Sequence, residues 1–162
     1  MPIAKTPRPH TRRTDAIALL KADHRQVEQW FAKFEKSSSK AEKQQLASRI
    51  CDALTIHTTI EEEIFYPAFL TATGDTEKHH EAVVEHAGAK KLIAEIRGTA
   101  PDEDYFDAKV KVLSEMIKHH VKEEEKSGGL FAEAKQSEMD LRALADQLMA
   151  RKHELHSQAK AA

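Results

Sequence analysis

The stretches His57-Thr58-Thr59-Ile60-Glu61-Glu62-Glu63 and His120-Val121-Lys122-Glu123-Glu124-Glu125 determine the fold predicted for this chain of 162 residues. In each stretch a histidine stands four positions before a glutamate, so both side chains lie on one face of a helix, one turn apart. A lone histidine precedes each stretch: His24 lies 33 residues before His57, and His86 lies 34 residues before His120. The repeat predicts two related helical hairpins, each with a histidine on its first helix and a His-x-x-x-Glu pair on its second.

Helix-forming residues fill the chain, and the five glycines and five prolines cluster at its breaks. Stretches rich in Ala, Glu, Lys, Gln and Leu favour helices, and no strand-like alternation of useful length occurs. Helices are predicted at about Asp15–Lys36, Lys40–Tyr66 and Glu77–Arg97, and a fourth is broken at Gly128; Pro67 is expected to kink or stop the second. We therefore predict an all-α fold: an up-down-up-down four-helix bundle with an additional C-terminal helix.

The chain divides into three predicted segments: a flexible basic tail over residues 1–14, the bundle over residues 15–133, and the C-terminal helix over residues 137–158. Three of the five prolines lie in the tail, which is typical of a solvated, disordered segment. The C-terminal helix carries a leucine stripe that could fold back on the bundle or form a dimer contact. We favour folding back, and expect a monomer or homodimer.

The overall charge gives no reason to expect a nucleic acid or a membrane as a partner, because 25 Lys+Arg stand against 27 Asp+Glu. No apolar run is long enough for a transmembrane helix, and the N-terminus lacks the apolar stretch of a secretory signal. The single cysteine, Cys51, excludes an internal disulfide and fits a reducing compartment. We therefore expect a cytoplasmic protein.

Six polar side chains fall on the otherwise apolar seams of the four predicted bundle helices. Burying an imidazole without a partner costs about 1–3 kcal/mol, and an unpaired carboxylate costs more. That cost disappears if each group donates a lone pair to a cation. Histidine nitrogens with bridging carboxylates suit a divalent first-row metal, iron in particular. The candidate metal ligands are His24, His57, Glu61, His86, His120 and Glu124.

The fourth helix offers two candidate pairs, His120 with Glu124 and His119 with Glu123. We favour the first, because the steps from Leu113 through Ile117 to His120 repeat those that lead to His57 in the second helix. The remaining histidines of the predicted helices are interpreted as surface residues; they are His79, His80, His153 and His156.

Two further considerations bear on a shared site. A ferritin-type site needs Glu-x-x-His on two helices, and only the stretch from Glu77 to His80 has that spacing. Counted from the connecting loops, His24 and His86 lie about 12 residues away and His57 and His120 about 17. This offset of about 7.5 Å is the same in both hairpins, and the sequence does not show that the levels match.

The chain resembles the hemerythrin-like proteins, the His-His-Glu cation-binding family, over about residues 15–133. The resemblance lies in Asp23-His24-Arg25, in His57 to Pro67, in Glu85-His86-Ala87 and in His119 to Glu125. It implies a four-helix bundle around a non-haem di-iron centre. Glu61 and Glu124 would bridge two iron ions, with an oxo or hydroxo group between them, and the four histidines would be terminal ligands.

One position departs from the family pattern. Oxygen-carrying hemerythrins have a second histidine on the third helix, four residues after the first, and Lys90 stands there in this chain. A fifth nitrogen ligand is therefore missing, or another group takes its place, and the candidates for that group are Glu28, Glu62 and His79. Reversible oxygen carriage is therefore not expected, whereas an open coordination position favours reaction with a small ligand, or iron binding and sensing.

Three functions are consistent with these observations. The first is a di-iron protein that handles O₂, peroxide or nitric oxide, or iron itself; as an enzyme it would decompose peroxide or act as a ferroxidase. The second is a non-catalytic iron or oxygen sensor or signalling module. The third is a metal-free helical interaction protein.

Overall fold

The computed structural model of the chain describes residues 14–161, which contain helices and turns and no strand. The predicted tail over residues 1–14 therefore lies almost entirely outside the described residues. None of the described helices is both long and apolar enough to cross a membrane. The elements, in chain order, are α1 Ala16–Lys36, α2 Lys40–Ile60, a π-helical turn Glu61–Phe65, α3 Tyr66–Thr73, α4 Thr76–Arg97, α5 Phe106–Glu125, α6 Leu130–Gln136 and α7 Leu141–Ala161.

Short polar side chains begin three of the bundle helices. Asp15, Ser39 and Asp75 each accept a hydrogen bond from the backbone amide three residues on, at 2.8, 3.3 and 3.0 Å. Each bond satisfies an amide that has no partner within its helix. The starts of α1, α2 and α4 are therefore set by local sequence.

The four long helices α1, α2, α4 and α5 form the predicted up-down-up-down bundle. Consecutive helices α1 and α2, and α4 and α5, pack as hairpins, and contacts of α2 with α4 and of α1 with α5 close the bundle. Helix α7 folds back, as favoured from its leucine stripe, and packs on α1, α2 and the π-helical turn. The all-α fold with an additional C-terminal helix is thus confirmed.

The predicted end of the second helix at Pro67 is wrong. Helix α2 ends at Ile60, the chain widens into the π-helical turn, and α3 continues through Pro67 to Thr73. Pro67 is the second residue of α3. In the first turn of a helix the backbone amides have no partner within that helix, so the amide hydrogen that proline lacks is not needed there. The helix ends instead at Gly74, whose φ of 69° lies in the left-handed region that favours glycine.

The C-terminal part contains one helix more than predicted. Helix α7 starts at Leu141 and ends at Ala161, so it is displaced toward the C-terminus from the predicted residues 137–158. The additional helix, α6, buries Leu130, Phe131 and Ala134 against the bundle. Seven residues are too few for a helical period to be visible in sequence.

Two apolar clusters fill the two ends of the bundle. One contains residues near the α1–α2 and α4–α5 loops, including Phe34, Leu46, Ile96 and Phe106. The other joins the start of α1 to α3, α6 and α7, and includes Leu20, Phe69, Phe131 and Leu148. On α1, α2 and α4, the histidines His24, His57 and His86 lie between residues of these two clusters.

Candidate metal centre

The structure brings all six predicted ligands together in the middle of the bundle. Each is at most 5% exposed, which is rare for histidine and glutamate. They form two groups whose donor atoms lie within 4.8 Å of one another. The first group is His24, His57, Glu61 and Glu124, and the second is Glu61, His86 and His120.

The offset expected from the loop counts closes in the structure, because side chains on a helix tilt toward its N-terminus. The tilt carries the imidazole of His24 away from the α1–α2 loop and that of His57 toward it. As a result, the Nε2 atoms of these two histidines lie 3.2 Å apart. The same holds in the second hairpin, where the Nε2 atoms of His86 and His120 are 3.2 Å apart.

All four imidazoles direct Nε2 toward the two buried carboxylates. His57 Nε2 lies 2.7 Å and His86 Nε2 3.5 Å from Glu61 Oε1. His120 Nε2 lies 3.0 Å and His24 Nε2 3.4 Å from Glu124 Oε1. Each carboxylate therefore faces one histidine from each hairpin, as a bridging carboxylate does.

The separation within each histidine pair suits one cation per pair. Two nitrogens that bind one ion at about 2.1 Å and near a right angle lie about 3.0 Å apart. Without a cation, two neutral imidazoles would direct lone pairs at each other, and two protonated ones would repel. A metal ion between the Nε2 atoms removes both conflicts.

Three of the four carboxylate oxygens at the centre lack a hydrogen-bond partner among the described residues. Within residues 14–161, Glu61 Oε1, Glu61 Oε2 and Glu124 Oε1 are buried and accept no hydrogen bond. A buried carboxylate oxygen without a partner costs several kcal/mol or more. These three oxygens are therefore suited to a cation.

Outer carboxylates hold the histidines from behind. The Nδ1 atoms of His24, His57 and His120 donate to Glu125 (2.8 Å), Asp23 (3.0 Å) and Glu85 (3.1 Å), in that order. His86 Nδ1 lies 3.5 Å from Glu62 Oε1, without hydrogen-bond geometry. A carboxylate at Nδ1 fixes the tautomer in which Nε2 is free to bind a metal ion.

A cationic or imidazole side chain lies beyond each outer carboxylate. Arg25 contacts Glu125, Lys90 contacts Glu62, Lys152 contacts Asp23, and His119 Nε2 lies 3.2 Å from Glu85. Lys90, which replaces the expected histidine, thus points outward to Glu62. The sequence analysis did not predict that these four carboxylates lie behind the histidines. The repeat nevertheless indicates it, because an acidic residue precedes His24 and His86, and a second glutamate follows Glu61 and Glu124.

Charge at the centre shifts several pKa values. Burial alone lowers the pKa of His57, but Glu61 and Asp23 outweigh it and raise that pKa to about 10. Burial likewise acts against the charged form of Glu61, yet the facing His57 and His86 hold its pKa well below the usual range. The pocket therefore favours ionised carboxylates, the form that binds metal ions.

Tyr66 is the side chain at the centre that sequence reasoning missed. Its hydroxyl donates to Glu124 Oε2 at 3.0 Å and lies 3.2 and 3.3 Å from Nε2 of His86 and His120. In a regular α-helix, five residues after Glu61 would point about 140° away. The π-helical turn, in which the Tyr66 amide bonds to Glu61 O, carries the ring back to the centre.

None of the substitutes proposed for the missing histidine reaches the inner face. Glu28 pairs with Arg25 on the surface, and Glu62 lies behind His86. His79 is half-buried and stacks its edge on the Tyr66 ring, with ring centroids 6.2 Å apart. The phenol oxygen of Tyr66 does reach this face, 3.2 Å from His86 Nε2 and 3.3 Å from His120 Nε2.

The other histidines of residues 14–161 lie away from the centre. The side chain of His119 is 66% exposed, whereas His120 is buried, so the structure brings His120 and not His119 to the carboxylates. His80, His153 and His156 are exposed, as predicted. His79, predicted on the surface, is partly buried because it packs on Tyr66.

Two cavities approach the centre from different sides. One, of about 200 Å³, reaches His24 and His57 and has a largely apolar wall that includes Val27, Trp30 and Leu54. The other, of about 340 Å³, reaches His120 and Glu124 and is lined mainly by charged side chains. The centre is buried but can be reached by small solutes.

The hemerythrin HHE cation-binding domain family matches residues 15–127, the part that includes α1 to α5. The chain is also 28% identical, over 116 residues, to a protein named DNA nickase from Nostoc sp. (strain PCC 7120 / SAG 25.82 / UTEX 2576). That alignment covers 70% of this chain and 32% of the Nostoc protein. The chain thus spans about a third of the length of that curated relative.

Among solved structures, the fold is similar to the crystal structure of a hemerythrin HHE cation-binding domain-containing protein from Mycobacterium kansasii. The TM-score is 0.75 at 20% sequence identity, and the similarity covers 91% of both chains. At this identity the likeness concerns the fold.

Proposed function

Because the chain belongs to the hemerythrin HHE cation-binding domain family, we propose that its metal site is a di-iron centre that handles O₂, peroxide or nitric oxide. The observation that carries this proposal is the pairing of four buried histidines around two buried carboxylates, three of whose four oxygens accept no hydrogen bond among the described residues. In a metal-free interaction protein these three buried carboxylate oxygens would have no partner. The free-energy cost of burying them would be too large for the stability of a small domain.

Each hairpin would supply ligands to both ions. His24 and His57 would hold one ion, and His86 and His120 the other. Glu61 and Glu124 each face a histidine from both hairpins, so they would bridge ions about 3.5–4 Å apart. Nitrogen ligands with carboxylates suit iron, and supply in the cell would select it over copper or zinc.

Bound iron would supply redox chemistry and an open position for a small ligand. The protein's own residues would orient the ligand histidines, limit the access of water and place the Tyr66 hydroxyl, a proton donor, beside Glu124 Oε2. Burial, followed by Glu124 and Glu61, keeps the pKa of Tyr66 well above its usual range, so the phenol retains its proton when no cation is near.

The apolar cavity supports a small neutral ligand. Its volume of about 200 Å³ exceeds the share of about 30 Å³ that one water takes in the liquid. Val27, Trp30 and Leu54 line it, and the charges of Lys152 and Asp23 pair with each other at its edge. An uncharged diatomic molecule would enter such a cavity without loss of strong hydration.

Anaerobic loading with Fe²⁺ followed by desalting and elemental analysis tests the proposal. We expect two iron equivalents per chain, and a near-ultraviolet charge-transfer band after exposure to air. His57→Ala and His86→Ala should each lose iron, whereas His153→Ala, an exposed histidine on α7, should not. A wild-type chain that retains no iron would refute the di-iron centre.

Peroxide decomposition and Fe²⁺ oxidation are then measured on the loaded protein. We expect turnover that falls in Glu61→Ala and Glu124→Ala. Equal turnover in both variants and the wild type would remove the catalytic form of the proposal and leave metal binding standing.

A sensing function is the second candidate, and the contact between α7 and the centre favours it. Lys152 on α7 contacts Asp23 Oδ1, and Asp23 Oδ2 accepts from His57 Nδ1 at 3.0 Å. A change in the position or charge of His57 would therefore alter the contacts of α7, a helix outside the bundle. Hydrogen exchange of the α7 amides should slow when iron is loaded, and it should slow less in Lys152→Met. Exchange rates that are the same with and without iron would exclude sensing through α7.

The activity named for the Nostoc relative is not extended to this chain. The alignment leaves about two thirds of that protein unmatched. The side chains that converge here are buried and could not contact a duplex. We keep a small ligand as the proposed partner.

A further inference from the structure

A row of glutamates leads along α4 to the centre. Glu77, Glu81 and Glu85 stand four residues apart, so they form one stripe with a rise of about 6 Å per step. Like charges at this spacing destabilise a helix. Within residues 14–161, Glu77 and Glu81 take part in no ion pair, so nearby cations do not offset that repulsion.

The stripe forms one wall of the larger cavity, of about 340 Å³. Six carboxylates and two lysines line this cavity, which gives it a net charge of −4 with neutral histidine. Both lysines are already engaged: Lys78 bonds Asp75 and Glu133 at 2.8 and 3.0 Å, and Lys126 bonds Glu123. The remaining negative charge is that of four glutamates. Two of them already accept a hydrogen bond, Glu85 from His120 Nδ1 and Glu124 from Tyr66, whereas Glu77 and Glu81 have no ion-pair partner among the described residues.

At the inner end of the cavity lies a buried carboxylate, Glu124, whose Oε2 accepts from the Tyr66 hydroxyl. Glu124 is 2% exposed, lines the cavity, and its Oε1 accepts no hydrogen bond among the described residues. His120 lies beside it, with Nε2 3.0 Å from that oxygen. The acidic stripe thus ends at a buried carboxylate that a cation would satisfy.

We propose that this cavity is the path by which a divalent cation passes from solvent to the centre, with Glu77 and Glu81 attracting the ion and Glu85, Glu124 and His120 receiving it. The inference rests on the proposed function, since it assumes that the centre binds metal. The apolar cavity on the opposite side is unsuited to this role, because a hydrated divalent ion gains nothing from Val27, Trp30 and Leu54. The two cavities would therefore separate the cation from the neutral ligand.

The rate of Co²⁺ uptake by the metal-free full chain tests the path. Stopped-flow absorbance follows uptake at low Co²⁺ concentrations, where the rate is proportional to concentration. We expect Glu77→Gln/Glu81→Gln to slow uptake about 3- to 30-fold at low salt, because a cleft of one charge sign raises association rates. The difference should shrink at about 1 M salt, where the Debye length is about 3 Å. The final number of bound ions should be unchanged.

Glu95→Gln/Glu115→Gln is the matched control, since it removes two exposed carboxylates, one near the C-terminal end of α4 and one in the middle of α5. This variant should take up Co²⁺ at the wild-type rate, and Lys78→Gln, which removes a positive charge from the cavity, should speed uptake. Equal rates in Glu77→Gln/Glu81→Gln and the wild type, or an equal slowing in the control, would overturn the path. A wild-type chain that binds no Co²⁺ would instead refute the metal centre itself.

Discussion

At the residue scale, the centre is a set of matched contacts around each histidine. Nε2 faces a shared carboxylate, Nδ1 faces an outer carboxylate, and a further basic side chain lies beyond that carboxylate. Lys90 fits this arrangement, because it contacts Glu62 rather than the interior. Lys90, where oxygen carriers have a histidine, therefore supplies no nitrogen to the centre. The Tyr66 oxygen lies there instead, beside Nε2 of His86 and His120.

Tyr66→Phe removes that oxygen and keeps the buried ring. We expect the ion held by His86 and His120 to bind at least about 10-fold more weakly, because one neighbouring donor is lost. The other ion should keep its affinity. Stepwise Fe²⁺ titration against a competing chelator measures both. Tyr105→Phe, at the other tyrosine of the chain, is the control, since Tyr105 is 72% exposed; equal affinities in the two variants would show that Tyr66 does not contribute.

The outer carboxylates can be tested with two glutamates that both pair with an arginine. Glu125 contacts Arg25 and also accepts from His24 Nδ1, whereas Glu63 contacts only Arg151 and Glu63 lies outside the centre. Glu125→Gln should weaken the ion held by His24 and His57 about 10- to 100-fold. Glu63→Gln should leave it unchanged. Chelator competition measures the affinity, and a similar loss in both variants would mean that surface charge, not the contact to His24, matters.

At the element scale, the π-helical turn Glu61–Phe65 and helix α7 shape the centre. The turn brings Tyr66 to the face that Glu61 occupies, in keeping with the frequent presence of such wide turns at functional sites. Helix α7 covers α1, α2 and that turn, and Leu144, Ala145 and Leu148 are buried beneath it. The π-helical turn thus orients Tyr66, and α7 covers the π-helical turn.

Leu148→Ala tests how α7 is held on the bundle. Leu148 is fully buried, so we expect a loss of about 2–5 kcal/mol in the free energy of unfolding. Met149→Ala, at the neighbouring position that is 55% exposed, should stay within about 0.5 kcal/mol of the wild type. Urea denaturation measures both, and hydrogen exchange shows whether α7 opens first. Equal stabilities would indicate that α7 is not packed on the bundle.

At the scale of the whole molecule, the two hairpins are related copies that meet at the centre. Each contributes two histidines and one buried glutamate, and the two apolar clusters close the bundle at either end. Six buried polar groups in the middle weaken the metal-free fold, so the bundle and its metal ions should be linked thermodynamically.

Metal loading should therefore stabilise the protein. With free metal at 100 times the dissociation constant, each site adds about 2.7 kcal/mol. Two sites add about 5 kcal/mol, which corresponds to a rise of roughly 10–20 °C in Tm for a chain of this size. Calorimetry with iron or with excess EDTA measures the shift, and Glu61→Gln, which alters a ligand of both ions, should largely abolish it. A Tm that does not respond to EDTA would contradict the linkage.

Three features follow from the amino-acid sequence without coordinates: the helical class, the two-hairpin repeat and the six polar positions on the bundle seams. Helical periodicity is local, and a histidine or glutamate stands out against an apolar stripe. The same periodicity failed at Tyr66 and Pro67, because the turn Glu61–Phe65 that precedes them is not α-helical. It also gave no sign of α6, whose length is too short for a period.

Only the tertiary structure decided which side chains share a site. The choice of His120 over His119, the position of Tyr66, the outward direction of Lys90 and the contact of Lys152 with Asp23 all depend on how separate helices pack. Sequence spacing fixes the direction of a side chain relative to its own helix, whereas the rotation and level of one helix against another follow from the packing of many side chains at once.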